Sequence, residues 1–329
     1  MSYHHAAEMA DLGQQIVAAA IEAIRLNSRG SIDGYSMKSD IERVQSEFAD
    51  VPQLLASYGL TDPANCQAAI DGLFSVSDNI DPRNSVTLDS RALAKGGEVS
   101  GPLPRHTGGW TDSLPIAERA QDIGSHLREW HGGARTQFDI FFVNHIDTAF
   151  PLQAALARSL ALILQAHQEI RARANADVWE IGRKTLDALH AHMAWCNCSP
   201  STITATLTVG AAAASVLTAG GALAVTMAAF SAANAIAGAG ITVSDDQKKK
   251  ISGGSTLDIL AHMRAATTAV EQEINNQVSS LVRLTDTLAD NVASVGDRIE
   301  IPSPSSAPGF KSSIRNPDNP GGFYPTSSR

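Results

Sequence analysis

The spacing of apolar side chains along the chain predicts a protein built mainly from helices. Between residues 6 and 24 apolar side chains recur every three or four positions, and helical patterns follow at residues 38–58 and 63–76. A longer stripe covers residues 257–299 at a mean spacing of about 3.5 residues, which is typical of a helix packed lengthwise against another helix.

The part of the chain between these patterns contains a loop and a second long helix. Residues 79–112 carry prolines and glycine pairs that interrupt any period, which predicts a long loop. Helical spacing resumes at residues 113–129, stops at a turn at residues 130–132, and continues over residues 134–195. Pro151 is predicted to kink this helix because it removes a backbone hydrogen bond.

These patterns predict an all-α fold, an elongated helical bundle with long antiparallel helices and an apolar helical hairpin between them. Four regions follow from the sequence: N-terminal helices at residues 1–78, the loop at 79–112, a long-helix bundle at 113–300, and a tail at 301–329. Proline, serine, glycine and asparagine dominate the tail, so it is predicted to be disordered.

The most unusual stretch of the chain contains no Asp, Glu, Lys or Arg between Asp187 and Asp245. Its middle, residues 202–243, is called here the apolar segment. Two apolar runs, residues 204–218 and 222–241, lie on either side of a glycine pair that allows a chain reversal, which predicts a hairpin. The candidate membrane-contacting positions are Gly210, Val216, Leu217, Gly220, Gly221, Leu223, Val225, Phe230, Gly238 and Ile241.

Three interpretations of the apolar segment stay open at this point. A membrane span needs about 20 apolar residues, so the first run is short and the second barely sufficient. Both runs are rich in alanine, glycine, serine and threonine, which allow close helix contacts but gain little from lipid. The segment is therefore the core of a bundle, a hairpin that inserts conditionally, or a permanent two-span anchor. Lys248, Lys249 and Lys250 follow it and are candidates for lipid headgroups or for a solvated loop.

Composition and motifs narrow the classes of function. The net charge of −9, without a basic stripe, argues against a nucleic-acid partner. No phosphate-binding loop, dinucleotide fingerprint, nucleophile elbow or zinc-protease motif occurs, so neither an enzyme nor a cofactor is predicted. Four acids of the second long helix are assigned to a solvated face because no base is paired with them. These are Asp139, Asp147, Asp177 and Glu180.

The histidines and cysteines give no metal site and no disulfide framework. The nearest metal-like set has the wrong spacing for a zinc finger, and it is predicted to be a helix end without metal; it consists of His190, His192, Cys196 and Cys198. Three cysteines in the chain cannot form a disulfide framework. The amino terminus lacks a basic region followed by an apolar core, so we expect no Sec signal peptide.

The helix at 113–129, the turn containing Trp130 and Gly132, and the helix after it resemble the WxG family of type VII secretion substrates over about residues 113–190. The resemblance implies a helical hairpin with Trp130 packed between its helices, and export of the folded protein without a Sec signal. The aromatic-x-x-x-acid export motif of that family is missing after the turn, since Arg183 stands four residues after Trp179.

A second resemblance rests on architecture alone. Long helices on either side of an apolar hairpin, over about residues 136–300, look like the α-helical pore-forming toxins of the cytolysin A and haemolysin B type. The expected function is thus an exported, non-enzymatic bacterial protein that oligomerises and inserts its hairpin into a target membrane. The alternative is a structural or partner-binding helical component of a type VII-like secretion system. The partners expected are membrane lipids and a second copy or another helical protein, at the cell envelope or outside it.

Overall fold

The computed structural model describes residues 3–27, 34–80, 125, 133–138, 144–193, 203–213, 216 and 247–294. These residues are predominantly helical and contain one two-stranded sheet, which confirms the predicted all-α fold class. Trp130, Gly132 and the predicted loop from residue 81 onward lie outside the described residues.

The elements follow one another in a simple order along the chain. They are α1 (Ala6–Asn27), α2 (Gly34–Glu47), α3 (Val51–Ser57), a 3₁₀ helix (Pro63–Cys66), α4 (Gln67–Ile80), α5 (Gly133–Phe138), α6 (Asn144–Met193), β1 (Thr204–Leu207), a second 3₁₀ helix (Val209–Ala211), β2 (Gln247–Lys250) and α7 (Thr256–Ser294).

Some boundaries differ from those predicted. The single helix predicted at 38–58 is two helices, because the chain turns at residues 48–50 and Pro52 begins the first turn of α3. Helix α4 continues to Ile80, beyond the predicted start of the loop. Pro151 lies inside α6 as predicted, and the kink expected there stays a prediction.

The chain forms two compact units. The first unit comprises Met1–Ala68, Ile163–Thr218 and Ala237–Arg283, and the second comprises Ala69–Leu162, Ala219–Ile236 and Leu284–Arg329. Within the second unit, the buried side chain of Arg158 on α6 donates a hydrogen bond to Asp78 on α4 over 2.7 Å. An ion pair with one member this well buried joins the two helices at a fixed place.

The core of the first unit is built around close contacts of small residues. A Cβ added to Gly13 of α1 would lie 2.5 Å from Cα of Pro52, so α1 and α3 approach backbone to backbone. A Cβ on Gly182 of α6 would lie 2.6 Å from Leu12. The predicted apolar face of α1 is the buried one; its buried side chains include Met9, Leu12, Ile16, Ala20 and Ile24.

Helix α7 confirms the prediction from its apolar stripe. Ser255 and Asp258 exchange side-chain-to-backbone hydrogen bonds of 3.1 Å each, which begins the helix as a capping box does. Its buried positions follow at threes and fours and include Leu260, Met263, Ala266, Val270, Ile274, Leu281, Leu284 and Leu288. The lengthwise packing of α7 on the helix before the apolar segment stays a prediction.

Candidate functional site: the neck of the apolar segment

The two strands join the ends of the stretch that contains most of the apolar segment. Strands β1 and β2 are antiparallel, with Thr204 opposite Lys250 and Leu207 opposite Gln247. The pairing continues for one more bond, because the amide of Ile251 donates to the carbonyl of Ile203 over 2.8 Å. The neck is defined here as this ribbon together with residues 208–210. It brings residues 207 and 247 together, so the chain between them leaves and returns at one place.

The strand at the start of the apolar segment differs from the helical hairpin predicted there. Residues 204–207 of the first apolar run are extended, and the run continues in a short 3₁₀ helix. Ile203, Thr204 and Thr206 are β-branched, which favours extended backbone. The partner strand lies about forty residues away in sequence, so its hydrogen bonds are not visible in a local pattern.

The ribbon separates the three lysines that were predicted as one group. Lys248 and Lys250 are exposed and stand opposite Thr206 and Thr204, on the same face of the ribbon. Lys249 stands opposite the buried Ala205 and is half-buried. It lines an open groove with Glu47, Phe48 and Arg264. Only two of the three lysines therefore present their full side chains to the surroundings of the neck.

Asp177 of α6 holds the first residues after β1. Its Oδ2 accepts hydrogen bonds from the amides of Thr208 at 2.7 Å and Val209 at 2.8 Å. Its Oδ1 accepts from Oγ1 of Thr208 at 2.9 Å. The residue is 2% exposed, so the carboxylate exchanges its water for donors of the neck.

The environment of Asp177 changes its acidity. Burial raises the pKa of the carboxyl to about 6, although the hydrogen bonds from Val209 and Thr208 oppose this shift. The nearby carboxylate of Glu180 raises the pKa further. Desolvation thus outweighs the three donors, because removing a charge from water costs more than these bonds return.

Two more polar side chains attach the neck to the long helices. Gln277 of α7 donates from Nε2 to the carbonyl of Gly210 over 2.8 Å. Arg173 of α6 donates from Nη1 to the carbonyl of Thr208 over 3.5 Å, and its Nε is paired with Glu169 at 2.7 Å. Main-chain groups of residues 208–210 are thus held from both α6 and α7.

The described residues that follow the neck are buried. Val209, Ala212 and Ala213 are 0% exposed, and Val216 is 1% exposed. Gly210 and Val216, two of the predicted membrane positions, are therefore shielded in this structure. The other predicted positions, from Leu217 to Ile241, lie outside the described residues. None of the described helices is both long and apolar enough to cross a membrane.

The assignment of Asp177 to a solvated face is wrong, since its side chain lies in the interior. The signal that could have revealed it is its spacing, because Asp177 lies three residues after Ala174 and four before Ile181, both fully or nearly fully buried. Arg173 and Gln277 were also missed. Gln277 follows the buried Ile274 by three residues and so belongs to the apolar stripe of α7.

Other chemistry and other proteins add no further assignment. In the described part of the chain no three His, Cys, Asp or Glu side chains are grouped as metal ligands would be. Comparisons with protein-family models, with curated protein sequences and with solved structures each give no match to this chain. The resemblances to WxG substrates and to cytolysin A-type toxins therefore remain predictions.

Proposed function

We propose that this chain is an exported, non-enzymatic helical protein of bacterial origin that oligomerises and inserts its apolar segment into a target membrane. In the structure, the described apolar side chains that follow β1, those of Val209, Ala212, Ala213 and Val216, are shielded. Contact with lipid favours the form in which the segment has left the helices, and the population moves toward that form.

The observation that carries this proposal is the neck. The ribbon of Thr204–Leu207 with Gln247–Lys250 joins the two ends of the segment. The segment can therefore move as one piece, and the helices before and after it need not unwind. The residues between the strands contain no Lys or Arg, and their two acids, Asp245 and Asp246, stand directly before β2. Lipid thus meets only uncharged side chains until the last residues of the stretch.

The exposed lysines of the neck support insertion of the segment with the neck left at the membrane surface. Lys248 and Lys250 stand at the place where the segment returns to the helical body. A lysine near an anionic membrane surface contributes about 1 kcal/mol of binding. These two side chains would therefore hold the neck at the headgroups while the segment enters the hydrocarbon.

A second candidate function is favoured by the burial of residues 209–216. Val209, Ala212, Ala213 and Val216 are as well buried as the core of α1, which is what a segment that never leaves the protein requires. In that case the chain is a structural or partner-binding helical protein, and the segment only stabilises it.

Release of a trapped dye from lipid vesicles separates the two candidates. We expect the wild type to release dye, and Val225→Asp to abolish release, because a charge in the bilayer opposes insertion by about 2.5–3.5 kcal/mol. The matched control is Val282→Asp, since Val282 is an exposed valine of α7, 53% accessible, outside the segment. A wild type that releases no dye from any vesicle would favour the structural role.

The lysines are tested by binding to vesicles that contain an anionic lipid. The double change Lys248→Ala with Lys250→Ala should weaken binding by about 2 kcal/mol, and most of this loss should disappear in high salt. Lys249→Ala should weaken binding less, because this side chain is half-buried in the groove. Equal effects of all three lysines would contradict the ribbon geometry.

A further inference from the structure

We propose that Asp177 is the positioning residue of a clamp that holds residues 208–210, the entrance of the apolar segment, against α6 and α7, and that the segment inserts only when this clamp opens. The inference rests on the proposed function for its membrane consequence. The clamp itself belongs to the protein before it meets lipid, and it is testable without lipid.

The bonds of the clamp lie at the point where the apolar segment leaves the ribbon. Asp177 binds Thr208 and Val209 through three hydrogen bonds of 2.7 to 2.9 Å, directly after β1 ends. The next residue, Gly210, is held through its carbonyl by Gln277. The first main-chain groups beyond the ribbon are thus fixed to α6 and α7, and residues 208–210 cannot move outward while they remain bonded.

Loss of the clamp would leave a buried main-chain amide without an acceptor. Val209 is fully buried, and its amide has its partner in the carboxylate of Asp177. Without that acceptor a buried amide must find water, which requires residues 208 and 209 to move outward. Opening of the clamp and exposure of the following apolar residues are therefore one event.

The charge on Asp177 decides how opening depends on pH. Among the described residues, the carboxylate of Glu180 on the same helix acts on the charge of Asp177. Arg173, which is paired with Glu169, reaches Thr208 of the neck, and on α7 Glu273 accepts a hydrogen bond from the Gln277 side chain that holds Gly210. The neck residues that bind it, Thr208 and Val209, carry no charge. Protonation at Oδ1 keeps all three contacts, since the hydroxyl of Thr208 can accept as well as donate.

The sign of the pH effect follows from the two pKa values. In the closed clamp the pKa of Asp177 is about 6, against an ordinary value of 3.8 once the carboxyl meets water. The closed form binds the proton more tightly, so acid favours closure and the advantage is lost as the pH rises through about 6. The opening equilibrium should therefore increase about tenfold between about pH 5 and about pH 8.

Hydrogen exchange of the full-length protein, read on a peptide covering residues 208–213, measures opening directly. After correction for intrinsic exchange, the wild type should open about tenfold more at about pH 8 than at about pH 5. Asp177→Asn keeps an acceptor for the two amides and a donor for Thr208 without a charge, so its opening should vary less than about twofold over the same range. Asp177→Ala should open about tenfold or more at both values.

The controls separate the clamp from general destabilisation. Asp187→Asn makes the same chemical change at an exposed position of α6 and should leave the wild-type pH profile unchanged. Peptides from α1 give the exchange of the rest of the first unit in the same experiment. If Asp177→Ala unfolds, the wild-type profile and Asp177→Asn still decide the matter. A wild type without pH dependence, or an Asp177→Asn protein that retains it, would overturn the clamp.

Dye release from phosphatidylcholine vesicles containing phosphatidylserine then tests the membrane consequence. Asp177→Asn should release dye about tenfold more slowly than the wild type at about pH 8, and the two should converge at about pH 5. If exchange follows the expected pattern while neither protein releases dye, the clamp stands and the proposed membrane function fails. If release does not differ although exchange does, the segment leaves by a route that does not need the clamp, and the proposal is overturned.

Discussion

Two buried polar side chains of α6, Asn175 and Asp177, hold two different parts of the chain by different chemistry. Asn175 accepts a hydrogen bond from the amide of His4 at 2.9 Å and donates to the carbonyls of His4 and Tyr58 at 2.8 and 3.1 Å. Asp177 only accepts, and its donors all belong to Thr208 and Val209. The amide satisfies donors and acceptors without a charge, whereas the carboxylate brings a charge into the interior.

The contacts of Asn175 with His4 and Tyr58 are called here the N-terminal attachment. Its surroundings also differ from those of Asp177 at the neck. At the N-terminal attachment the ring of His4 stacks on Trp179 with 3.9 Å between centroids, and Leu12 fills the space at Gly182. At the neck, Asp177, Arg173 and Gln277 make hydrogen bonds with main-chain groups of residues 208–210, and Asp177 also accepts one from the hydroxyl of Thr208. The N-terminal attachment thus combines apolar packing with a neutral amide, while the attachment at the neck depends on an ionisable carboxyl group and so on pH.

The largest expected effect comes from giving the N-terminal attachment a carboxylate. In Asn175→Asp a buried charge would face the carbonyls of His4 and Tyr58, which now accept bonds from the amide. We expect a loss of about 3–5 kcal/mol in the free energy of unfolding at neutral pH, and a smaller loss in acid as the carboxyl becomes neutral. Urea denaturation at both pH values measures this.

The control for this change is Asn275→Asp, because Asn275 is exposed on α7. It should alter stability by less than about 0.5 kcal/mol. A loss below about 1 kcal/mol for Asn175→Asp would mean that the interior at α6 accepts a charge easily, and the distinction between the two attachments would disappear.

The next effect tests the apolar part of the N-terminal attachment. Leu55 is 0% exposed and lies beside Gly182, so Leu55→Ala should cost about 2–5 kcal/mol, with the cavity adding to the lost burial. The loss should be equal at acid and neutral pH because no titrating group is removed. Leu60→Ala is the control, since Leu60 is 73% exposed. A marked pH dependence of the Leu55→Ala loss would show that this attachment is also electrostatic.

The pH dependence of stability tests the neck. Asp177 has a pKa of about 6 in the folded protein against 3.8 when exposed. Its stabilising contribution to the free energy of unfolding is therefore fully present below pH 3.8 and is lost as the pH rises through about 6. At 1.36 kcal/mol for each pKa unit this amounts to ~3 kcal/mol. Denaturation of the wild type and of Asp177→Asn across this window isolates the contribution. If the wild type gained stability relative to Asp177→Asn as the pH rose, the sign would be wrong.

The smallest expected effects on stability come from adding a methyl group at two glycines, one packed against another helix and one facing open space. Gly13→Ala would place a methyl group against the main chain of Pro52, so we expect a loss of about 1–3 kcal/mol. Gly72→Ala in α4 meets nothing within 4 Å and should instead stabilise the helix by about 0.4–1 kcal/mol. Thermal melts of both variants decide. Equal effects would show that α1 and α3 can separate without cost.

Local sequence was sufficient for the helices with strong apolar spacing. The stripe of α1 and that of α7 predicted both the helices and their buried faces, because the helical period relates residues three and four apart. The apolar segment was also visible as an uncharged stretch, although its start is a strand and its remaining candidate positions lie outside the described residues. Helix α2 and helix α3 were merged into one, since the turn between them contains no glycine or proline before Pro52.

Only the tertiary structure decided what holds the apolar segment. The pairing of β1 with β2, the different exposure of Lys248 and Lys249, and the burial of Asp177 all depend on residues far apart in the chain. A carboxylate on a helix has the same local sequence pattern whether it meets water or a backbone amide of another segment. The energy of burying its charge arises only when that segment arrives, and for this reason the clamp at Asp177 was beyond the reach of sequence.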